Sequence, residues 1–463
     1  MRPPLVLPLL IGVAVAAKSP FASYVEALRR DIGLSQLNAN HSATREPGTM
    51  TAMTRMEPHS LLLVVPPKYV ITTQEALASV RYIDTCTKKL PRTLPRHFVL
   101  AAWVLQELTM GRLNGVWRSW FESLLPMLDP TSLWSDSELD ALQDERVIRR
   151  ARALRNQRQL EYDSLVRVLL EECGMADDLP SARMLNSTDY FLAAAVVTRY
   201  AWHFSADFPV LVPLSIRTHP EGSVDTTEWG TENDPGAAVY VGERALLAGE
   251  EITAWSEDAD NTDFLLHAGH VWDDLYASRR HLLLSAGAMR RGRDSTASIA
   301  DSQRDAWLQQ NNWTRSMEFE LDARELNPEM LAWLRLVFAS PEELQRATSP
   351  NSFQTGDIIS LRTEEAAFHA LNQSLDRELG LFETTAEEDD ELLEHARLTR
   401  KERGRARLSP RIVAAVTYRR LVKRILIRNM ELASEHWREF KEQRAALNKK
   451  TVRRKLDAHA RSV

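Results

Sequence analysis

Cysteine is nearly absent: the chain has 463 residues and only Cys86 and Cys173. That excludes a disulfide-knit scaffold and a cysteine-built structural zinc site. One bridge between the two is open; two unpaired core thiols is the reading adopted. Long apolar runs are also lacking, since beyond the first 17 residues nothing reaches the ~20 residues of a membrane-crossing helix. There are no internal repeats, and no P-loop, Gly-x-Ser-x-Gly or metalloprotease motif. Asp258-x-Asp260-x-Thr262 lacks the glycine and glutamate of a calcium loop. His267-x-x-His270 has helical spacing but no third ligand, so no metal site is expected.

What is present is an ordinary globular composition, 44% hydrophobic and 26% charged, in a chain long enough for about three domain-sized units. The net charge of −6 conceals an asymmetry: from Arg397 to Val463 there are 21 basic against 6 acidic residues, leaving +15 there and −21 on the rest. A basic end on an acidic body suits an acidic partner, a nucleic acid or, more plainly, the body itself. Nucleic-acid binding is not the favoured reading. Residues 1–17 place one arginine before a 13-residue apolar run, with Val15 and Ala17 at the small-residue positions preceding Lys18. This is the outline of a candidate signal peptide and points to the secretory pathway or an organelle reached through it. Sequons at Asn40, Asn186, Asn312 and Asn372 add little.

Along the chain, Leu61–Val65 reads as a buried strand. A helical pattern runs from Gln74 to about Thr198, with apolar faces at Phe98–Leu105 and Trp117–Leu125. Ser135-x-x-Glu138 and Thr385-x-x-Glu388 are capping boxes. Strand-like runs return at Phe208–Leu214, Gly236–Val241 and Glu251–Trp255. The segment 290–312 is polar and reads as a linker, and nearly everything after it reads as helix, with Pro410 in a first turn. Glu387–Asp390 reads as the acidic first turn of a helix. Strand regions separated by a helical insert must meet in space, because neither has enough strands alone.

Three segments, in one consistent order, resemble the SET-domain protein methyltransferases, in the branch of Rubisco large-subunit lysine methyltransferase and actin-histidine methyltransferase. They are Val196-Val-Thr-Arg-Tyr200 with Leu211-Val-Pro-Leu214; Ala245-Leu-Leu-Ala-Gly-Glu-Glu-Ile252 with Asn261–Gly269; and Phe382–Asp389 with Leu408-Ser-Pro-Arg411 and Arg419–Leu426. The resemblance implies an α+β fold: a SET-domain β-core with a helical insert, followed by an all-α substrate-binding domain. With the candidate signal peptide at 1–17 and a basic tail at 441–463, the chain divides into a SET domain at 18–275 with its insert at about 85–200, a helical start and polar linker at 276–312 and a helical substrate-binding domain at 313–440. It implies transfer of a methyl group from S-adenosylmethionine to a lysine or histidine of a protein substrate held by the helical domain, in a chain expected to be monomeric.

The family's site residues fall on Gly48, Arg199, Thr218 and His219 for the cofactor and on Trp255 for the catalytic tyrosine. The match is partial. Gly48 stands alone where the family has Gly-x-Gly, Thr218 stands where it has Asn, and Trp255-Ser256 where it has Tyr-Gly. An indole offers one N–H and no oxygen. Either a divergent active site or a non-catalytic SET-fold protein that binds a partner through its helical lobe follows. Arg199 as a structural ion pair and His219 as an exposed loop histidine also stay open, as does core packing for Trp255.

Overall fold

The structure, a computed structural model, describes residues 20–32, 37–39, 50–79, 94–110, 115–173, 186–203, 209–214, 217–219, 222–231, 234–255, 260–289, 298–349, 351–401 and 408–460. The candidate signal peptide, Asn40, Gly48, Cys86 and Ser256 lie outside these residues. The chain divides into two compact units, one of Met1–Asp129 with Asn156–Glu257, the other of Pro130–Arg155 with Asp258–Val463. The helices named below are α1 (Pro20–Asp31), α2 (Arg96–Met110), α3 (Gly115–Leu124), α4 (Glu145–Glu161), α5 (Ser187–Tyr200), α6 (Asn261–Ala268), α7 (Ser298–Gln310), α8 (Pro328–Phe338), α9 (Leu361–Leu379), α10 (Ala386–Lys401) and α11 (Pro410–Ala460).

In the first unit α2 packs on α5 and α1 on α3. Phe98 to Leu105 are all buried, so α2 is apolar on every side, as a core helix is. Where it meets α5, the Phe98 and Tyr190 rings lie with centroids 6.2 Å apart. Asn186 caps α5 reciprocally with Asp189, at 3.2 Å each way. On α3, Trp117 and Trp120 meet edge to face at 5.4 Å, and Trp120 meets Tyr200 at 6.0 Å. Such pairs add about 1 kcal/mol beyond the area they bury.

The strands of this unit are β1 (Leu37–Ala39), β2 (Met50–Ala52), β3 (Leu61–Val65), β4 (Ile71–Thr72), β5 (Ala201–His203), β6 (Pro209–Leu211), β7 (Arg217–His219), β8 (Val224–Thr231), β9 (Asp234–Val241) and β10 (Thr253–Trp255). They form a five-stranded sheet ordered β3-β9-β8-β10-β7, a three-stranded sheet β4-β6-β5 and the pair β1-β2. The sequence-distant strands do meet: β3 pairs antiparallel with β9, Val65 opposite Ala237. The chain between them holds the helical insert and then β5 to β8, of which β7 and β8 belong to the same sheet.

The second unit contains β11 (Arg280–Ser285) and β12 (Ser316–Leu321), an antiparallel pair in register from Arg280 opposite Leu321 to Ser285 opposite Ser316. Here the structure corrects the sequence reading, which has a helical start at 276 and helix beyond 312. Residues 280–285 alternate buried and exposed, the period of a half-covered strand. The supposed linker likewise contains α7. Its polar appearance hides three anchors: Leu308 is buried, Arg304 donates to the carbonyls of Leu336 and Ala339 (3.1 and 2.8 Å), and Trp307 meets Phe353 edge to face. Residues 290–297 lie outside the described ones. The segment 441–460 continues α11 as helix rather than forming a separate tail.

Around the buried helix α8 pack α7, α9 and the short helix Asn351–Thr355. Arg335 on α8 forms a two-pronged pair with the fully buried Glu364 on α9, at 2.8 and 2.7 Å. Asp389, in the acidic first turn of α10, is also fully buried and holds both Arg419 and Lys423 of α11 at 2.6 Å. Asp390 takes Arg420 and Arg424. Part of the basic end is therefore neutralised by acidic residues upstream of it. Cys173 is disulfide-bonded and no described cysteine is free, which corrects the reading of two unpaired thiols. Separation in sequence carries no information on whether two thiols can reach bonding distance.

Candidate functional site

Arg199 lies in the last turn of α5, half-buried, its guanidinium 5.8 Å over the Tyr200 ring. A cation suits that end of a helix, where the carbonyls concentrate negative charge. The chain passes directly into β5, which pairs with β6, Ala201 opposite Leu211. The two halves of the first motif are thereby hydrogen-bonded neighbours. Leu211, Val212 and Leu214 are fully buried, and the Pro213 carbonyl accepts a 3.0 Å hydrogen bond from Tyr24.

That run feeds β7, the edge strand of the five-stranded sheet. β7 lies parallel to β10, with Thr218 beside Ala254 and His219 beside Trp255. Two positions far apart in sequence, both singled out from it, are thus one strand spacing apart, about 4.8 Å. Tyr240 sits on β9, opposite Leu61 and Asp225. β8 separates it from β10, so it stands about 10 Å from the Trp255 strand position. Gly48 lies outside the described residues.

The segment after β9 is built on its glycine. Gly249 has φ +79° and donates to the Ala52 carbonyl at 2.7 Å. A left-handed residue is needed there, and glycine adopts it without strain. Glu250 accepts from the Leu247 amide at 2.8 Å and pairs with Arg244. In the second unit Asp260 caps α6, and buried Asn261 donates to the Trp272 carbonyl (2.9 Å) and the Ser278 hydroxyl (2.7 Å) while accepting from the Trp272 amide (2.7 Å). All of this side chain's bonding holds its own loop. Among the described residues no group of three or more His, Cys, Asp or Glu is arranged to hold a metal ion.

Sequence reasoning missed one polar cluster in the first unit. Glu161 receives hydrogen bonds from Arg158 and Tyr190 at 2.7 Å and meets His97 Nε2 at 3.3 Å. Arg158 also reaches Thr198 at 3.2 Å. Burial works against the Glu161 carboxylate, but its His97, Arg158 and Tyr190 partners outweigh that and hold its pKa at about 2. Burial, reinforced by the Glu161 charge, pushes the Tyr190 phenol above its usual range. A locked anion and a locked phenol exchange no proton near neutrality, so the cluster ties α2, α4 and α5 together rather than doing acid–base work. The i, i+3 spacing of Arg158 and Glu161 was the only signal of it in the sequence.

Residues 294–426 match the family model described as Rubisco LSMT substrate-binding. No curated protein sequence matches the chain. Among solved structures, the SET domain of LSMT bound to lysine and AdoHcy is similar at a TM-score of 0.58 and 17% identity, over 91% of this chain and 92% of that one. Rubisco LSMT bound to AdoMet is similar at 0.57 and 17%, over 92% and 94%. Rubisco LSMT bound to sinefungin and monomethyllysine gives 0.58 and 17% over the same shares. The chain therefore has the α+β fold of these LSMT structures, and its residues 294–426 are similar to the LSMT substrate-binding family.

Proposed function

We propose that this chain is an S-adenosylmethionine-dependent protein methyltransferase of the SET type, acting on a lysine side chain of a protein held by its C-terminal domain. The observation that carries the reading is the agreement of fold over nine-tenths of both chains with LSMT in its AdoMet and lysine complexes, joined to the substrate-binding match at 294–426. The donor set on the chain suits the cofactor in part. A guanidinium at 199 is a good two-pronged partner for a carboxylate, and an imidazole at 219 offers a donor and an acceptor for a heterocycle. The register of His219 beside Trp255 supports one site at the β7–β10 edge.

The cofactor supplies the activated methyl group, and the rest falls to the protein. Displacement at carbon is in line, so aligning the acceptor nitrogen contributes most of the acceleration a binding site can give. The acceptor amine must also arrive neutral, which a desolvated channel favours because burial disfavours the ammonium. Trp255 stands at the position of the family's tyrosine. It cannot supply a phenolic oxygen to orient the acceptor, and losing one such preorganised group typically costs about 100-fold in rate. Methyl transfer from labelled S-adenosylmethionine to a lysine peptide library tests this. Trp255→Tyr is expected to raise the rate by about 100-fold. A Trp255→Tyr variant that binds cofactor as the parent does and is slower on every substrate would contradict the assignment of that position.

A further inference from the structure

Between α8 and α11 the C-terminal unit holds a cavity of about 410 Å³. Its walls differ in kind. The floor is apolar, with Leu326, Leu331 and Phe440 all buried. Arg335 also faces it, but this guanidinium is fully engaged: Nε and Nη2 on Glu364, Nη1 on the carbonyls of Phe353 (2.9 Å) and Gln354 (2.6 Å), and Nη2 at 3.4 Å from His436 Nε2. It has no donor left for an anion.

The rim is acidic. Glu325, Glu435 and Glu439 are exposed there, against the single cation Arg324, which lies over the Tyr276 ring at 5.2 Å and reaches Asp322 at 3.4 Å. Glu435 shares Arg428 at 3.3 Å, whereas among the described residues the carboxylates of Glu325 and Glu439 make no ion pair. An anion would meet this rim with like charge, and a wholly apolar ligand would strip water from it without compensation. A long aliphatic stem ending in a cation satisfies floor and rim together. The volume falls within the ~300–1,000 Å³ range of small-ligand pockets.

We infer that this cavity docks an arginine or lysine side chain of a protein segment, its stem on Leu326, Leu331 and Phe440 and its cation between Glu325, Glu435 and Glu439. The inference rests on the substrate-holding role proposed for the C-terminal domain and adds a docking residue distinct from the methyl acceptor. It makes the substrate a basic segment. α11 supplies its wall as a stripe of Leu432, Glu435, His436, Glu439 and Phe440, one face of a helix at i, i+3, i+4, i+7, i+8.

The test uses the full chain and a short fluorescein-labelled peptide of alternating leucine and arginine, with a twin carrying glutamate for arginine. Fluorescence anisotropy is read on the parent, on the rim pair Glu325→Gln/Glu439→Gln and on the control pair Glu391→Gln/Glu394→Gln, exposed on α10, which lines no part of the cavity. The arginine peptide should bind the parent and the control alike and the rim pair about fivefold more weakly, and the glutamate peptide should not bind. No binding to the parent, equal weakening by both pairs, or preference for the glutamate peptide would overturn the pocket. S-adenosylmethionine titration of the same samples separates the two readings: cofactor binding without peptide binding sinks the pocket alone, and peptide binding without cofactor binding sinks methyl transfer alone.

Discussion

Removing the Glu161 carboxylate would leave the Arg158 guanidinium, with a side chain 10% exposed, and the buried Tyr190 hydroxyl facing helix surfaces without their acceptor. Glu161→Ala should cost about 3 kcal/mol of stability, the usual result of breaking one partner from a buried pair. Its pH signature has a definite sign. The folded pKa of about 2 lies below the ordinary 4.5, so its stabilisation is complete above about pH 4.5 and is lost as pH falls towards 2. Glu161→Gln should flatten the parent's stability in that window, measured by urea unfolding; a variant with the parent's slope would assign the acid sensitivity elsewhere. At this scale the sequence was partly legible. The positions Thr218, His219 and Trp255 could be picked out by resemblance, and the register brings two of them together. Asp389 was legible as part of an acidic first turn, but its burial was not, because burial of a carboxylate depends on arginine and lysine thirty-odd residues downstream.

Helix ends were the most legible elements, because their signals are local. Ser135 and Glu138 cap reciprocally, Thr385 and Glu388 do the same at 2.7 and 3.1 Å, and Pro410 opens α11. β11, β12 and α7 were not legible, because their burial comes from partners distant in sequence. The loop after the helix Asn351–Thr355 shows such dependence at a glycine. Gly356 has φ +72°, and a Cβ there would stand 3.2 Å from the Arg335 guanidinium carbon. Its carbonyl also accepts from Arg444 of α11 at 2.7 Å. Gly356→Ala should cost about 1–3 kcal/mol from backbone strain and from pressure on the Arg335–Glu364 pair. Thermal unfolding reads this; an unchanged midpoint would mean that the loop can relax without disturbing α8 and α11.

For the whole molecule, the order of strand-rich, helical and strand-rich segments was enough to foresee that the strand regions must meet across the insert, though not that β3 takes β9 as its partner. The charge asymmetry was legible as arithmetic and not as structure, since only the fold puts Asp389 and Asp390 on α10 against the basic α11. The fold common to this chain and LSMT leaves cofactor binding as the claim on which methyl transfer stands. Calorimetric titration of the full chain with S-adenosylmethionine measures it directly. The account predicts micromolar binding, about −8 kcal/mol, that falls at least tenfold in Arg199→Ala while the variant unfolds at the parent's midpoint. No heat at millimolar cofactor, from a protein shown to be folded, would contradict it.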